Sequence, residues 1–183
     1  HIVDASGSID ASGKIAEPGS GDPVADVGDI EEELVMWYLK LFEANRDKIS
    51  RNIDSGIEPV SAITEVFRGI GVREDHVRMA LAQNNLASMP LDDFGPQQSK
   101  DFCWSLRDIS KPTLIVANKV DLPTATDNFR RLREEYKDMI VVPSSADAEL
   151  TLRRAESRGL IRYIPGDERF EINEQTPLND KQK

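Results

Sequence analysis

Little in this chain suits metal or redox chemistry. One cysteine and two histidines among 183 residues leave no zinc-type ligand set. A lone cysteine forms no internal disulfide, which fits a protein kept in a reducing cytoplasm. Cys103 lies on a helical face near Phe102 and Leu106, where a thiol packs as a small apolar group rather than acting as a nucleophile. No apolar run approaches the roughly 18 residues that a membrane-spanning helix needs, so no membrane partner is expected. Basic charge is also short. Lys and Arg number 23 against 33 Asp and Glu, a net charge of −10, which argues against a broad nucleic-acid-binding face and leaves room only for a local basic patch. Gly7, Gly13, Gly19 and Gly21 precede no Gly-Lys-Ser/Thr, so no phosphate loop is assigned to them. No catalytic residue and no metal ligand is assigned anywhere in the chain.

What is present is concentrated in Lys111-Pro112-Thr113-Leu114-Ile115-Val116-Ala117-Asn118-Lys119-Val120-Asp121. A short apolar run between a proline and a polar cluster predicts a fully buried strand of a parallel sheet. Ligands of open α/β sheets bind beyond the carboxyl ends of the strands, where Asn118, Lys119 and Asp121 fall. A carboxylate at Asp121 accepts hydrogen bonds from the ring N–H and the exocyclic amine of guanine. Adenine offers neither donor and leaves the carboxylate unpaired, so such a site rejects it by roughly 10⁴-fold. Asn118 donates to the imidazole nitrogen of the base, and the stem of Lys119 lies across its face. A helical pattern on Phe129, Leu132 and Tyr136 then leads to a second predicted strand, Met139 to Pro143, ending in Ser144-Ser145-Ala146. There the backbone N–H of Ala146 is placed to meet the guanine carbonyl oxygen, and Ser145 to steady the turn and the Asp121 carboxylate.

These residues resemble the fourth and fifth guanine-recognition motifs of a GTPase domain. Together with His1-Ile2-Val3-Asp4-Ala5-Ser6-Gly7, Gly28-Asp29-Ile30-Glu31-Glu32-Glu33 and Ser144 to Glu149, they are similar to the Obg-like, YchF-related translation-associated GTPases of archaeal type. The resemblance implies a partial parallel sheet of the P-loop-GTPase type with an inserted α-helical module. It also implies binding and hydrolysis of GTP by the intact protein, with Mg²⁺ as cofactor and ribosome or RNA as partner. The phosphate loop, the switches and the Mg²⁺ ligands would precede His1. A chain that opens inside an apolar run and stops as a helix begins, at Leu178 to Lys183, is expected to be a piece of a longer one that carries the base-reading half. The rival reading is a non-enzymatic helical module that contacts protein or RNA.

The expected organisation follows the composition. Residues 1–28 are a strand end and a linker, with Asp4 closing the strand and capping the next loop. Residues 29–90 are the helical insertion. Its first helix, about 24 residues long, carries one stripe of Leu34, Tyr38, Leu41, Asn45 and Ile49 and ends at Ser55-Gly56. Trp37 and Tyr38 are assigned to its core. Two further helices begin at Pro59 and Glu74. Residues 91–158 form the second half of the nucleotide domain, with a helix over 97–109 packed on the sheet and another capped by Asp147. Residues 159–183 open a C-terminal segment with two short strands about Pro165-Gly166-Asp167.

Overall fold

The computed structural model describes residues 1–10 and 12–173 of the chain; the helix expected at Leu178 lies outside them. The described residues divide into two compact units, residues 1–25 with 114–173 and residues 26–113.

The first unit is built on a parallel sheet of three strands, β1 (Ile2–Asp4), β2 (Leu114–Asn118) and β3 (Ile140–Pro143), in the order β1-β2-β3. Asp4 pairs with Asn118 and Ala117 with Pro143, so all three strands deliver their carboxyl ends to one edge. Strand alternation divides the side chains. Val3, Ile115 and Ala117 are buried, whereas Ile2, Leu114 and Ile140, on the opposite face, are exposed. β2 is therefore buried on one face only, not on both as its apolar run suggested, because adjacent residues of a strand point to opposite sides. The helix α6 (Ala125–Glu135) runs between β2 and β3 and buries Ala125, Asn128 and Leu132. Asn128 donates to the Ala5 carbonyl at 3.0 Å, and Thr124 to that of Ser6 at 2.9 Å. These two bonds sew the start of α6 to the loop that leaves β1. After β3 comes α7 (Ala146–Ser157), then the antiparallel pair β4 (Ile161–Tyr163) and β5 (Phe170–Ile172). Gly166 turns between the strands with a φ of +83°, a backbone region that glycine enters without strain. The Tyr163 hydroxyl donates to Glu149 of α7 at 2.5 Å, tying the hairpin to the helix.

The stretch read as linker to Gly28 turns helical earlier than expected. α1 (Pro23–Ala44) starts at Pro23, whose fixed φ suits a first helical position. The Asp22 carboxylate accepts the Val24 N–H at 3.1 Å, and Pro23 and Val27 are fully buried. Ahead of it the loop is ordered by its own polar groups: Asp10 accepts the N–H groups of Ser12 and Lys14, and Ile9 bridges Ile15.

The long helix also breaks in two. Asn45, placed in its apolar stripe by the sequence pattern, has φ −112° and ψ 4° and separates α1 from α2 (Arg46–Asp54). Its side chain donates to the Leu41 carbonyl at 2.8 Å, the local competition with backbone bonding that makes Asn a poor residue inside a helix.

The second unit continues with α3 (Pro59–Phe67), a 3₁₀ turn over Arg68–Ile70, α4 (Glu74–Gln83), a 3₁₀ turn over Leu91–Asp93 and α5 (Pro96–Ser110). Its core gathers Tyr38, Phe42, Ile49, Ile63, Phe67, Val77, Phe94, Phe102, Cys103 and Leu106. The helix over 97–109, expected on the sheet, is a member of this unit, with Phe102, Cys103 and Leu106 in its core. The unit runs to Thr113 instead of closing at residue 90, because Phe94, Phe102 and Leu106 complete its aromatic and aliphatic centre. Cys103 is buried there, and burial pushes its thiol up, far from a reactive thiolate. Tyr38 is core and stacks on Phe67 at 5.6 Å. Trp37 is not core: it is half exposed, one helical step away on the outer face. Glu31 and Arg107 form a nearly fully buried ion pair at 2.7 Å, and Arg107 also reaches the Thr113 hydroxyl at 2.8 Å.

Candidate functional site

The carboxyl edge of β2 and the start of α7 form one open depression of about 530 Å³, lined by Asn118, Lys119, Asp121, Leu122, Ser145, Ala146, Asp147 and Leu150. Every residue singled out in the sequence for base reading lies on its wall. Parallel pairing of β2 with β3 is what brings the two loops together. The Val120 N–H donates to the Ser144 carbonyl at 3.1 Å, and the Ser144 N–H to that of Ala117 at 2.8 Å.

The individual roles differ in part from expectation. Asp121 is exposed and, among the described residues, makes no hydrogen bond or ion pair, so both lone-pair edges of its carboxylate face solvent in the depression. Ser145 does not touch that carboxylate. It is the cap of α7, its hydroxyl accepting the Ala148 N–H at 3.3 Å, and it takes the capping role assigned to Asp147, which sits in the first helical turn. The Ala146 N–H donates to the Asn118 side-chain oxygen at 3.0 Å. An N–H of the first helical turn has no partner inside its helix and takes the nearest acceptor, so Asn118 joins the two loops directly.

Lys119 adopts φ +63°, a left-handed conformation uncommon outside glycine. It lines the depression, and its ammonium donates to Asp4 Oδ2 and to the Ser8 hydroxyl, both at 2.8 Å. Asp4 also accepts the Ser6 N–H at 3.0 Å, the Ser6 hydroxyl at 2.6 Å and the Ser8 hydroxyl at 2.5 Å. It caps the loop as expected and holds Lys119 as well. The sequence did not show this second role, because it follows from the register that seats Asp4 beside Asn118. Leu122, Asp147 and Leu150 were likewise missed. The helical spacing of 147 and 150 was the available signal.

Burial alone would raise the pKa of Asp4, but the hydrogen bonds from Lys119, Ser6 and Ser8 outweigh it and hold the group down at about 2. A carboxylate that is more acidic in the folded state than its usual 3.8 stabilises the fold in full above that value. The contribution is lost as pH falls from there toward 2. Urea unfolding followed across this window is expected to show the chain losing on the order of 1–2 kcal/mol more than an Asp4→Asn variant does. Parallel acid slopes for the two proteins would show that Asp4 contributes nothing of the kind.

The fold is of the α/β class, a parallel sheet with two polar loops meeting at its carboxyl edge. Residues 116–183 match the family model described as "Obg-like GTPase YGR210-like, G4 motif-containing domain". The chain is 36% identical over 182 residues to an uncharacterized GTP-binding protein of Methanocaldococcus jannaschii, covering all of this chain and 44% of that protein. An uncharacterized GTP-binding protein of Schizosaccharomyces pombe is 29% identical over 169 residues, 92% of this chain and 41% of its own length. The crystal structure of a GTP binding protein from Pyrococcus horikoshii superposes with a TM-score of 0.78 at 37% identity, covering 90% of this chain and 48% of that one. The chain thus spans less than half the length of these relatives.

Proposed function

We propose that the depression at the carboxyl edge of the sheet recognises the guanine base of GTP and GDP. The carrying observation is the exposed, unengaged Asp121 carboxylate on one wall and the Ser145–Ala146 turn on the other. Asp121 accepts the ring N–H and the exocyclic amine of the base. The Asn118 side-chain NH₂ meets its imidazole nitrogen, and the Ala146 N–H, held by the Asn118 side-chain oxygen at 3.0 Å without ligand, is shared with its carbonyl oxygen when the base binds. The stem of Lys119 covers the ring face, while Ser145 keeps the turn in place by capping α7. Leu122 and Leu150 supply the apolar part of the lining that a flat purine needs.

In a protein that joins this chain to a phosphate-binding loop, the same site selects GTP for hydrolysis. The charge on the phosphates would there be neutralised by Mg²⁺. Among the described residues no group of three or more His, Cys, Asp or Glu is arranged to hold a metal ion, so no step through Mg²⁺ is derived from this chain. Action in translation, in the cytoplasm and in contact with ribosome or RNA, belongs to the same reading. So does membership of the YchF-related branch, and these finer assignments rest on the sequence resemblance. No helix of the described residues is long and apolar enough to cross a membrane. A partner-binding role for the helical unit draws on Met36 and Trp37, which are about half exposed side by side on the outer face of α1.

The test is a titration of the chain with GDP and with ADP, followed by amide chemical shifts into the millimolar range. GDP is expected to shift the amides of residues 118–122 and 145–148 and to saturate, with ADP leaving them unmoved. Equal responses to the two nucleotides would overturn the assignment.

A further inference from the structure

Lys119 presents a problem of placement. A lysine side chain has many rotamers to lose on ordering, and one projecting freely from a loop offers no fixed surface to a flat ligand. Its backbone is moreover held in a left-handed conformation, with φ +63°, which is unfavourable for a residue with a Cβ. Something must stabilise both. The Leu122 N–H bonds back to the Lys119 carbonyl at 3.1 Å, and the Val120 N–H to the neighbouring loop, which accounts for the backbone. The side chain is held from the opposite direction. Its ammonium ends on Asp4 and Ser8, which belong to the end of β1 and the loop after it.

Asp4 is suited to that task. Its side chain is only 7% exposed, and the Ser6 N–H together with the Ser6 and Ser8 hydroxyls locks its orientation. It also pairs in register with Asn118, the residue before Lys119. The Ala5 N–H donates to the Asn118 carbonyl at 2.9 Å, so the ends of β1 and β2 form one piece. The side chain of a residue that lines the depression thereby ends on a buried anion.

We propose that Asp4 is a positioning residue of the base site: assisted by Ser8, it fixes the Lys119 ammonium so that the lysine stem forms a ready surface for the purine ring. This rests on the guanine reading given above and adds a residue that makes no contact with the base. The ordering of the side chain is complete before a ligand arrives, and preorganisation of this kind appears as affinity. Because the clamp acts on the ring face and not on its hydrogen-bonding edge, it strengthens purine binding without setting the choice between purines.

The experiment is a double-mutant cycle on the chain with GDP as ligand, using Asp4→Asn and Lys119→Met. Methionine keeps an unbranched apolar stem but has nothing for Asp4 to hold. Asp4→Asn is expected to weaken GDP binding about tenfold, a typical cost for loss of one charge-assisted bond. In the Lys119→Met background the same change is expected to have no further effect, since Asp4 acts only through the ammonium. Ser8→Ala is expected to give a smaller loss of the same kind. An Asp4→Asn effect of equal size in both backgrounds, or no effect with native lysine, would overturn the proposal. Asp121→Asn is run alongside as the control for the guanine reading. If it leaves the GDP-to-ADP ratio unchanged, or if the unmodified chain does not bind GDP, that reading fails and takes the Asp4 proposal with it. If it collapses the ratio while Asp4→Asn is silent, only the Asp4 proposal fails. Amide spectra of β1 to β3 that match the parent chain confirm that each variant is folded.

Discussion

Replacing Asp121 by asparagine is expected to lower GDP affinity by about 10²-fold and to collapse the preference for guanine over adenine. The carboxylate presents two acceptors side by side, and guanine presents two donors at matching spacing. Asparagine keeps one acceptor and turns an NH₂ toward the exocyclic amine of guanine. One hydrogen bond is thus lost and two donors are forced together. Xanthine carries a carbonyl oxygen where guanine has that amine, so the carboxamide complements it. The variant is expected to bind xanthosine diphosphate better than the parent chain does. Shape and volume are unchanged by the substitution, and Asp121 is exposed and makes no hydrogen bond or ion pair among the described residues, so stability is expected to move by less than about 0.5 kcal/mol. Titrations of parent and variant with the three nucleotides, beside urea unfolding of both, measure all of these quantities. An unchanged ratio of guanine to adenine affinity would remove Asp121 from the site.

Phe42→Ala is expected to destabilise the helical unit by about 3–5 kcal/mol. The ring is fully buried, lies 5.4 Å from that of Phe102 and 6.5 Å from that of Phe94, and so joins α1 to α5 and to the turn before it. Truncation removes the transfer free energy of the ring and leaves a void that the flanking rings fill only in part. It also forfeits two tilted aromatic contacts, each worth about 0.5–1.5 kcal/mol. Phe42→Leu recovers part of the volume and is expected to cost roughly half as much. The fluorescence of Trp37 and Trp104, both carried by this unit, reports its unfolding in urea. A shift of the midpoint equivalent to less than about 1 kcal/mol would mean that the three-ring centre is not what holds the unit together.

Much of this protein was legible in the order of its residues, and the reason is local chemistry. The proline at 59 marked a helix start, and the apolar spacing of Ile63 and Phe67, or of Phe102 and Leu106, marked the inward faces, while Pro96, read as part of a loop, proved to open α5. Lys111-Pro112 and the polar cluster after Ala117 bounded β2 on both sides. The five residues proposed to read the base were named because strand ends carry ligands in parallel sheets, and because a carboxylate matches guanine and not adenine. Local pattern erred where two short-range signals competed. Asn45 fitted an apolar stripe by spacing, yet its side chain broke the helix. Trp37 and Tyr38 are equally aromatic and adjacent, but successive helical residues lie about 100° apart, so only one could face the core.

The sequence by itself determined the chemistry of the site, because the hydrogen-bonding capacity of Asn118, Lys119, Asp121 and the Ser145–Ala146 turn belongs to the residues and not to the fold. Only the tertiary structure decided which groups act together. The register of β1 on β2 seats Asp4 and Ser8 against a lysine more than a hundred residues away, and the packing of Phe94, Phe102 and Leu106 assigns α5 to the helical unit. Those outcomes depend on pairing between distant segments, which closes only when the whole sheet and the whole core form, and no window of neighbouring residues contains it.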